Sequence, residues 1–348
     1  MTLEYHDVSE KIISKLASIR GDGSAEDHMS LDTWEWAQGV ALYALCKVYL
    51  DSKDQNTLSQ IIAWYDRHLQ RGLPDRNINT TAPMIGMVML YEITLDQKYR
   101  KPIYDWASWI MSDMPRTQEN GLQHVTSHDE NDQQLWDDTL YMTVLFLYKA
   151  GLALHQKAWV EEAKYQFLLH IKYLNNPENC LWYHGFSFLG RHHFGKAFWA
   201  RGNGWYTAAA ADILEIMPDD SVRRLILETY KSQCQALVRL QSPTGLWHTL
   251  LDQEDSYLET SASAAIAYGL LKGVRLGILP QSYRAAADKA FFAVLCQVAE
   301  DGTVNGVSYG TPMGNDLDFY RTIPIHPTAY GQGLAFLMLT EKTHHTQE

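Results

Sequence analysis

The chain has 348 residues, 46% hydrophobic and 12% aromatic, with 11 Trp and 20 Tyr, which excludes disorder as a bulk description. A formal charge of -12, with no Lys/Arg cluster longer than a dipeptide, excludes a phosphate-backbone ligand, so no nucleic acid partner is expected. No apolar stretch reaches the roughly 18 residues of a membrane span and the N-terminal segment is charged every few residues. Neither a membrane partner nor a signal sequence is therefore expected, and the cytoplasm is the expected compartment.

Helical apolar spacing recurs throughout, while alternating β-branched runs are scarce. In chain order, helices are predicted over about 7–20, 34–50, 56–70, 81–95, 99–113, 138–153, 157–172, 203–216, 220–239, 260–275, 281–297 and 328–340. These twelve make six pairs. The second member of each pair is the more apolar and richer in small residues, as in TAPMIGMVMLYE and SASAAIAYGLL, whereas first members such as SQIIAWYDRHLQR carry charge on one face. An inner and an outer ring follow. Inner helices starting near Trp36, Ala82, Asp138, Trp205, Ser261 and Ala329 are spaced by 46, 56, 67, 56 and 68 residues, too long and irregular for an open solenoid. The expected fold is an all-α (α/α)6 barrel, a six-hairpin toroid formed as one catalytic domain over 1–348.

Unusual residues gather just before the inner helices: Trp36, Asn79, Trp136 with Asp137 and Asp138, Arg201 with Trp205, and Glu259 with Thr260 and Ser261. In a toroid all of these face one mouth. Aromatic faces with a few convergent polar groups suit a sugar. Asp, Asn, Ser and Thr also cap helices, and capping is the simpler account of Thr260 and Ser261. Tandem Asp137 and Asp138 exceed what one cap requires. Burial and a neighbouring carboxylate are what raise the pKa of a general acid, although a helix N-terminus favours the ionised form.

Other chemistries find little support. The His192–His193 pair has no accompanying HExxH, Cys cluster or carboxylate–His spacing, so no metal is expected. No GxGxxG follows a strand, and no GxxxxGK[ST] or GxSxG occurs, so no cofactor is expected and the Gly-rich segment 301–316 reads as a loop closing over the pocket. Cys46, Cys180, Cys234 and Cys296 show no CxxC spacing, and three of them fall in apolar helical runs, which points to structural thiols.

LWDDTLYM, FWARGNGW and SYLETSASAAIAYGLL, in that order, together with WEWAQGVALY, NINTTAPM and GVSYGTPMG, resemble the unsaturated rhamnogalacturonyl hydrolases of glycoside hydrolase family 105 over most of the chain. The resemblance implies hydrolysis of a Δ4,5-unsaturated uronic acid at the non-reducing end of a small oligosaccharide, with no metal or cofactor. It places the catalytic aspartate at Asp138, with Asp137 at a position often apolar in relatives. It further implies that His184 contacts substrate, that Arg201 holds the uronate carboxylate and that Trp205 holds the ring. Asn79 stands where related glucuronyl hydrolases carry a second functional aspartate, so a neutral side chain would orient substrate or water there. His124 and His128 precede the WDDTLYM motif without distinctive spacing. Two rival expectations remain: an N-acylglucosamine epimerase-like isomerase, in which histidines such as His184 move protons, and a non-catalytic carbohydrate-binding protein on the same fold.

Overall fold

The computed structural model describes residues 2–21 and 27–344, with side chains from residue 7 onward. Six inner helices stand side by side in a closed ring: α2 (Trp36–Ser52), α4 (Ile78–Thr94), α6 (Leu145–Ala153, entered through a π turn at Leu140–Val144), α8 (Ala200–Ile216), α10 (Thr260–Arg275) and α13 (Ala329–His344). Around them lie α1 (Thr2–Ser18), α3 (Gln55–Arg71), α5 (Gln97–Ser112), α7 (Lys157–Leu174), α9 (Ser221–Leu240) and α11 (Arg284–Leu295). The (α/α)6 expectation therefore holds. The ring closes where α13 packs on α2, and α1 covers α13, so the two ends of the chain meet.

The sequence patterns explain both rings. Outer α3 buries Ile61, Trp64, Tyr65 and His68, the i, i+3, i+4, i+7 stripe of a helix with one wet face. Inner α10 is buried from Thr260 to Val274 and can only exist surrounded by other helices. Small residues let the inner backbones approach. A Cβ on Gly39 of α2 would lie 2.5 Å from the Ala82 carbonyl carbon in α4, and one on Gly333 of α13 would lie 2.8 Å from Ala41 Cα in α2.

The two ends of the barrel differ because the connections differ. From α2 to α3 the chain turns in two residues, Lys53 in the left-handed region and Asp54 capping the next helix; Leu95 and Asp96 repeat the device between α4 and α5. These tight turns make the strongly packed hairpins run from an inner helix to the following outer one. The sequence had suggested pairs in the opposite sense, outer then inner. The returns from outer to inner helices all emerge at the other end and, apart from the short 72–77 segment between α3 and α4, are long. They carry the elements that periodicity did not reveal: β1 (Gln134–Trp136) paired antiparallel with β2 (Gly185–Ser187), β3 (Trp247–His248) paired with β4 (Leu258–Glu259), and the five-residue α12 (Leu317–Arg321).

Two local expectations are corrected. The cap of α10 is Glu259, whose carboxylate accepts from the Ala262 N–H and the Ser261 hydroxyl, so Thr260 and Ser261 are not themselves the cap. Of the cysteines, Cys46 and Cys234 are buried, Cys180 is half-buried and Cys296 is exposed at the end of α11. Burial pushes the Cys46 thiol up to about 12, as expected of an inert structural thiol.

Candidate active site

The centre of the site is built by two strands that belong to different loops. β1 ends immediately before Asp137 and β2 begins immediately after His184, with Trp136 opposite Gly185. The Asp137 N–H donates to the His184 carbonyl at 2.9 Å, extending the ladder by one step. His184 and Asp138 are thereby fixed side by side, with His184 Nε2 3.3 Å from Asp138 Oδ2. On its far side, His184 Nδ1 lies 2.7 Å from the Tyr320 hydroxyl of α12, which accepts from the Gly314 N–H at 3.1 Å. This arrangement suits the Nε2–H tautomer, with Tyr320 donating to Nδ1 and the imidazole N–H turned towards Asp138.

Asp138 is the member of this group that reaches open space. Its side chain is 16% exposed, against 1% for His184, and it lines a cavity of about 610 Å³ at the mouth of the barrel. That volume falls in the range of small-molecule sites, roughly 300–1,000 Å³. His28, Trp36, Asn79, Trp136, Phe194 and Tyr309 are among the residues of its wall. Trp36 is half-buried and is backed by Tyr330, stacked at 4.5 Å, and by Trp205, edge-on at 6.3 Å.

Asp137 points the other way. It is completely buried, and neither carboxyl oxygen makes an aligned hydrogen bond. Burial, and next the charge of Asp138, hold its carboxyl well above the usual carboxylate range. Burial acts on Asp138 in the same sense, but contact with His184 outweighs it and draws that carboxyl below the usual range. Burial lowers His124 to about 3, so this ring is neutral; it stacks on Trp136 at 4.1 Å and its Nδ1 meets Thr139 Oγ1 at 2.8 Å.

The residues singled out in the sequence divide into two sets. Trp36, Asn79, Asp138 and Arg201 all line the cavity, as does His124. Trp205 does not: it is fully buried between Trp36 and Tyr141, because α8 turns it into the ring of inner helices, so in this geometry it supports Trp36 instead of facing a ligand. His184 likewise lies behind Asp138, not on the cavity wall. Arg201 is at the wall, but its terminal nitrogens already donate to Ser308 O at 2.8 Å, Ser308 Oγ at 2.5 Å, Tyr309 O at 3.0 Å and Thr311 Oγ1 at 2.8 Å. Its guanidinium is sandwiched by Trp199 and Tyr330, 4.6 and 5.1 Å from the ring centres. Arg201 thus fixes the Gly-rich loop, and that loop brings Tyr309 to Met313 against the cavity.

Of the remaining histidines, His128 and His192 are exposed, and His192 Nδ1 accepts from the Phe194 N–H at 3.1 Å. His193 Nε2 instead meets the Tyr173 carbonyl at 2.8 Å, so the adjacent pair does not converge on one point. His28 and Phe194 line the cavity without having been singled out; neither stands in a motif, and only the closure of the ring brings them there. Asp137, Asp138 and His184 bring three donor atoms within 4.8 Å of one another.

An aromatic cavity with a histidine-backed carboxyl group at the mouth of an α/α toroid defines the chain as a carbohydrate-active enzyme of the toroid class. The model of the family Glycosyl Hydrolase Family 88 matches residues 8–346, and the chain belongs to that family. It is 33% identical over 312 residues, 88% of this chain and 89% of the other, to the unsaturated rhamnogalacturonyl hydrolase YesR of Bacillus subtilis. Among solved structures it resembles a Salmonella enterica protein described as a possible member of family 105, with 40% identity, TM-score 0.96 and coverage of 99% of this chain and 94% of that one. A Klebsiella pneumoniae protein described in the same way gives 39% identity, TM-score 0.97 and the same coverage. The chain is a glycoside hydrolase.

Proposed function

We propose that the protein releases a Δ4,5-unsaturated uronic acid from the non-reducing end of lyase-generated oligosaccharides, with the unsaturated rhamnogalacturonan disaccharide as its substrate. The observation that carries this reading is Asp138, the one carboxyl group of the aromatic cavity wall that is backed by a buried histidine; the other, Asp129, lies exposed. Ordinary glycosidases flank the scissile bond with two carboxyl groups, whereas hydration of an enol ether needs one that serves first as acid and then as base.

In this mechanism Asp138 delivers a proton to C4, and the C4=C5 electron pair forms the new C–H bond. The positive charge left at C5 is shared with the ring oxygen. Water then bonds to C5 and returns a proton to Asp138, and the resulting hemiketal opens with loss of the neighbouring sugar. Asn79 orients the water or substrate, and Trp36 covers one face of the sugar with Trp205 as its support. Arg201 is the only Lys or Arg among the described lining residues, and it attracts the uronate carboxylate, which takes the place of Thr311 Oγ1 as an acceptor. His184, held between Tyr320 and Asp138, orients the acid. An epimerase would need His184 to face the sugar, and its 1% exposure speaks against that.

The test is the ultraviolet absorbance of the conjugated C4=C5 bond, followed with wild type and Asp138→Asn on a panel of unsaturated disaccharides. Decay with wild type alone supports both the reaction and the acid. Unchanged absorbance across the panel with wild type removes the hydrolase reading. No helix among the described residues is long and apolar enough to cross a membrane. The protein works in the cytoplasm on imported disaccharides, and recovery of the native enzyme in a periplasmic fraction would refute that location.

A further inference from the structure

Asp137 is the buried carboxyl group of the site that the mechanism above does not use. A fully buried carboxyl group with no aligned hydrogen bond costs several kcal/mol if it stays ionised, so a fold keeps one only in neutral form or for a purpose. The fold also makes deliberate room for it. A Cβ on Gly202 would lie 2.0 Å from Asp137 Oδ2, so the carboxyl packs directly on a residue that cannot carry a side chain. Gly202 stands in the first turn of α8, where backbone N–H groups have no partner within the helix and the helix dipole favours negative charge.

The charged and titratable groups around Asp137 are Asp138 on its own segment, His184 ahead of β2, His124 ahead of β1, Arg201 in the first turn of α8 and Tyr320 on α12. Asp137 and Asp138 each bring a carboxyl oxygen into one cluster within 4.8 Å, the first sealed from water and the second only 16% exposed, so the two do not readily ionise together near neutral pH and the pair titrates as a unit. Asp138 is the member with a cationic-capable neighbour in His184, so at rest the shared proton sits on Asp137 and the charge on Asp138. That is the wrong state for an acid, and entry of an anionic substrate beside Asp138 reverses it.

We propose that Asp137 is a positioning residue that shares one proton with Asp138, so that the pair, and not Asp138 alone, supplies the acid at near-neutral pH. The proposal rests on the hydrolase reading. When substrate binds, the Asp137 O–H proton passes to the Asp138 carboxylate, and the charge moves to Asp137, where the first turn of α8 and Arg201 stabilise it. Asp138 then protonates C4. Attack of water at C5 gives its proton to Asp138, from which the pair returns to its resting state, and no net proton is consumed.

Two measurements test this. In the absence of substrate, infrared spectroscopy of the wild type near neutral pH should show the C=O band of a protonated buried carboxyl group, and the isosteric Asp137→Asn should lack it. This measurement does not depend on what the enzyme hydrolyses. If the wild type shows no such band, or Asp137→Asn retains it, the proposal is overturned even when the hydrolase reading stands. In the second, the pH profile of kcat/KM on the unsaturated disaccharide is compared. An asparagine donates to Asp138 but holds no exchangeable acid proton, so the alkaline limb should move to lower pH by about one unit or more. Gly202→Ala, which displaces the Asp137 carboxyl without removing it, should shift the limb the same way. A uniform fall in rate at all pH values in Asp137→Asn, with the limb unmoved, would mean a merely structural role.

Discussion

Buried aspartates stand at both ends of this barrel, and they are treated in opposite ways. Asp212, near the closed end of α8, is surrounded by donors: the hydroxyls of Tyr43 and Tyr268 at 2.6 and 2.5 Å, the ammonium of Lys272, and Lys47 at 3.6 Å. Burial would raise its pKa, but Lys272, Lys47 and Lys149 outweigh it and hold the carboxyl well below the usual range. Asp137, at the mouth, is equally buried and is left without an aligned partner. One end spends its charged groups on mutual satisfaction; the other leaves a carboxyl pair under-satisfied beside a cavity. Strongly perturbed groups in a cleft with incomplete pairing mark chemistry, while complete pairing marks architecture.

The largest expected effect separates the two ends by activity. Asp138→Asn should lower turnover by about 10³-fold or more, in line with loss of a general acid, while thermal unfolding changes little. A variant that retained more than a tenth of wild-type turnover would move the chemistry away from Asp138. Asp212→Asn should do the reverse, costing about 3–5 kcal/mol in urea unfolding because Lys272 is left with a weaker buried partner, with kcat per folded molecule unchanged.

Stability against pH sharpens the contrast. Because the folded pKa of Asp212 is depressed, its contribution is fully present above the unfolded value of about 4 and is lost as pH falls through the folded value. Because that of Asp137 is raised, the folded state holds a proton the unfolded chain releases, and stability is lost as pH rises from about 4 towards the folded value. Asp137→Asn should therefore be as stable as wild type or more so near neutral pH, with an advantage that shrinks in acid; an advantage over wild type that grew in acid would contradict this sign. The smallest effect is expected from Trp205→Phe, which keeps an aromatic support behind Trp36 and should cost less than about 1.5 kcal/mol, with a modest rise in KM and kcat nearly intact. A large fall in kcat would instead make Trp205 part of the reacting geometry.

The helices themselves were legible because their signal is local. The stripe Ile61, Trp64, Tyr65, His68 and the small-residue run Ala262–Ala267 each declare, within a few turns, which ring they belong to. Their place just before predicted inner helices likewise put Trp36, Asn79, Asp138 and Arg201 at one mouth of the toroid. Strands of two or three residues and the five-residue α12 carry no period; β1 and β2 pair only because loops from different hairpins meet, and β3 with β4 closes within the single return from α9 to α10.

Orientation within the site lay beyond the sequence for the same reason. Whether Asp137 or Asp138 faces the cavity follows from the β1–β2 pairing; the hold of Arg201 on Ser308 and of Tyr320 on His184 joins residues 107 and 136 positions apart. Sequence by itself determined the two rings, the open end and the residue types gathered there, since these rest on helical periodicity and on which residues precede the inner helices. Tertiary structure alone decided that Trp205 stands behind Trp36, that His184 stands behind Asp138 and that Asp137 is sealed from water. Those outcomes depend on how a closed ring of helices packs its loops against one another, and no local pattern encodes that packing.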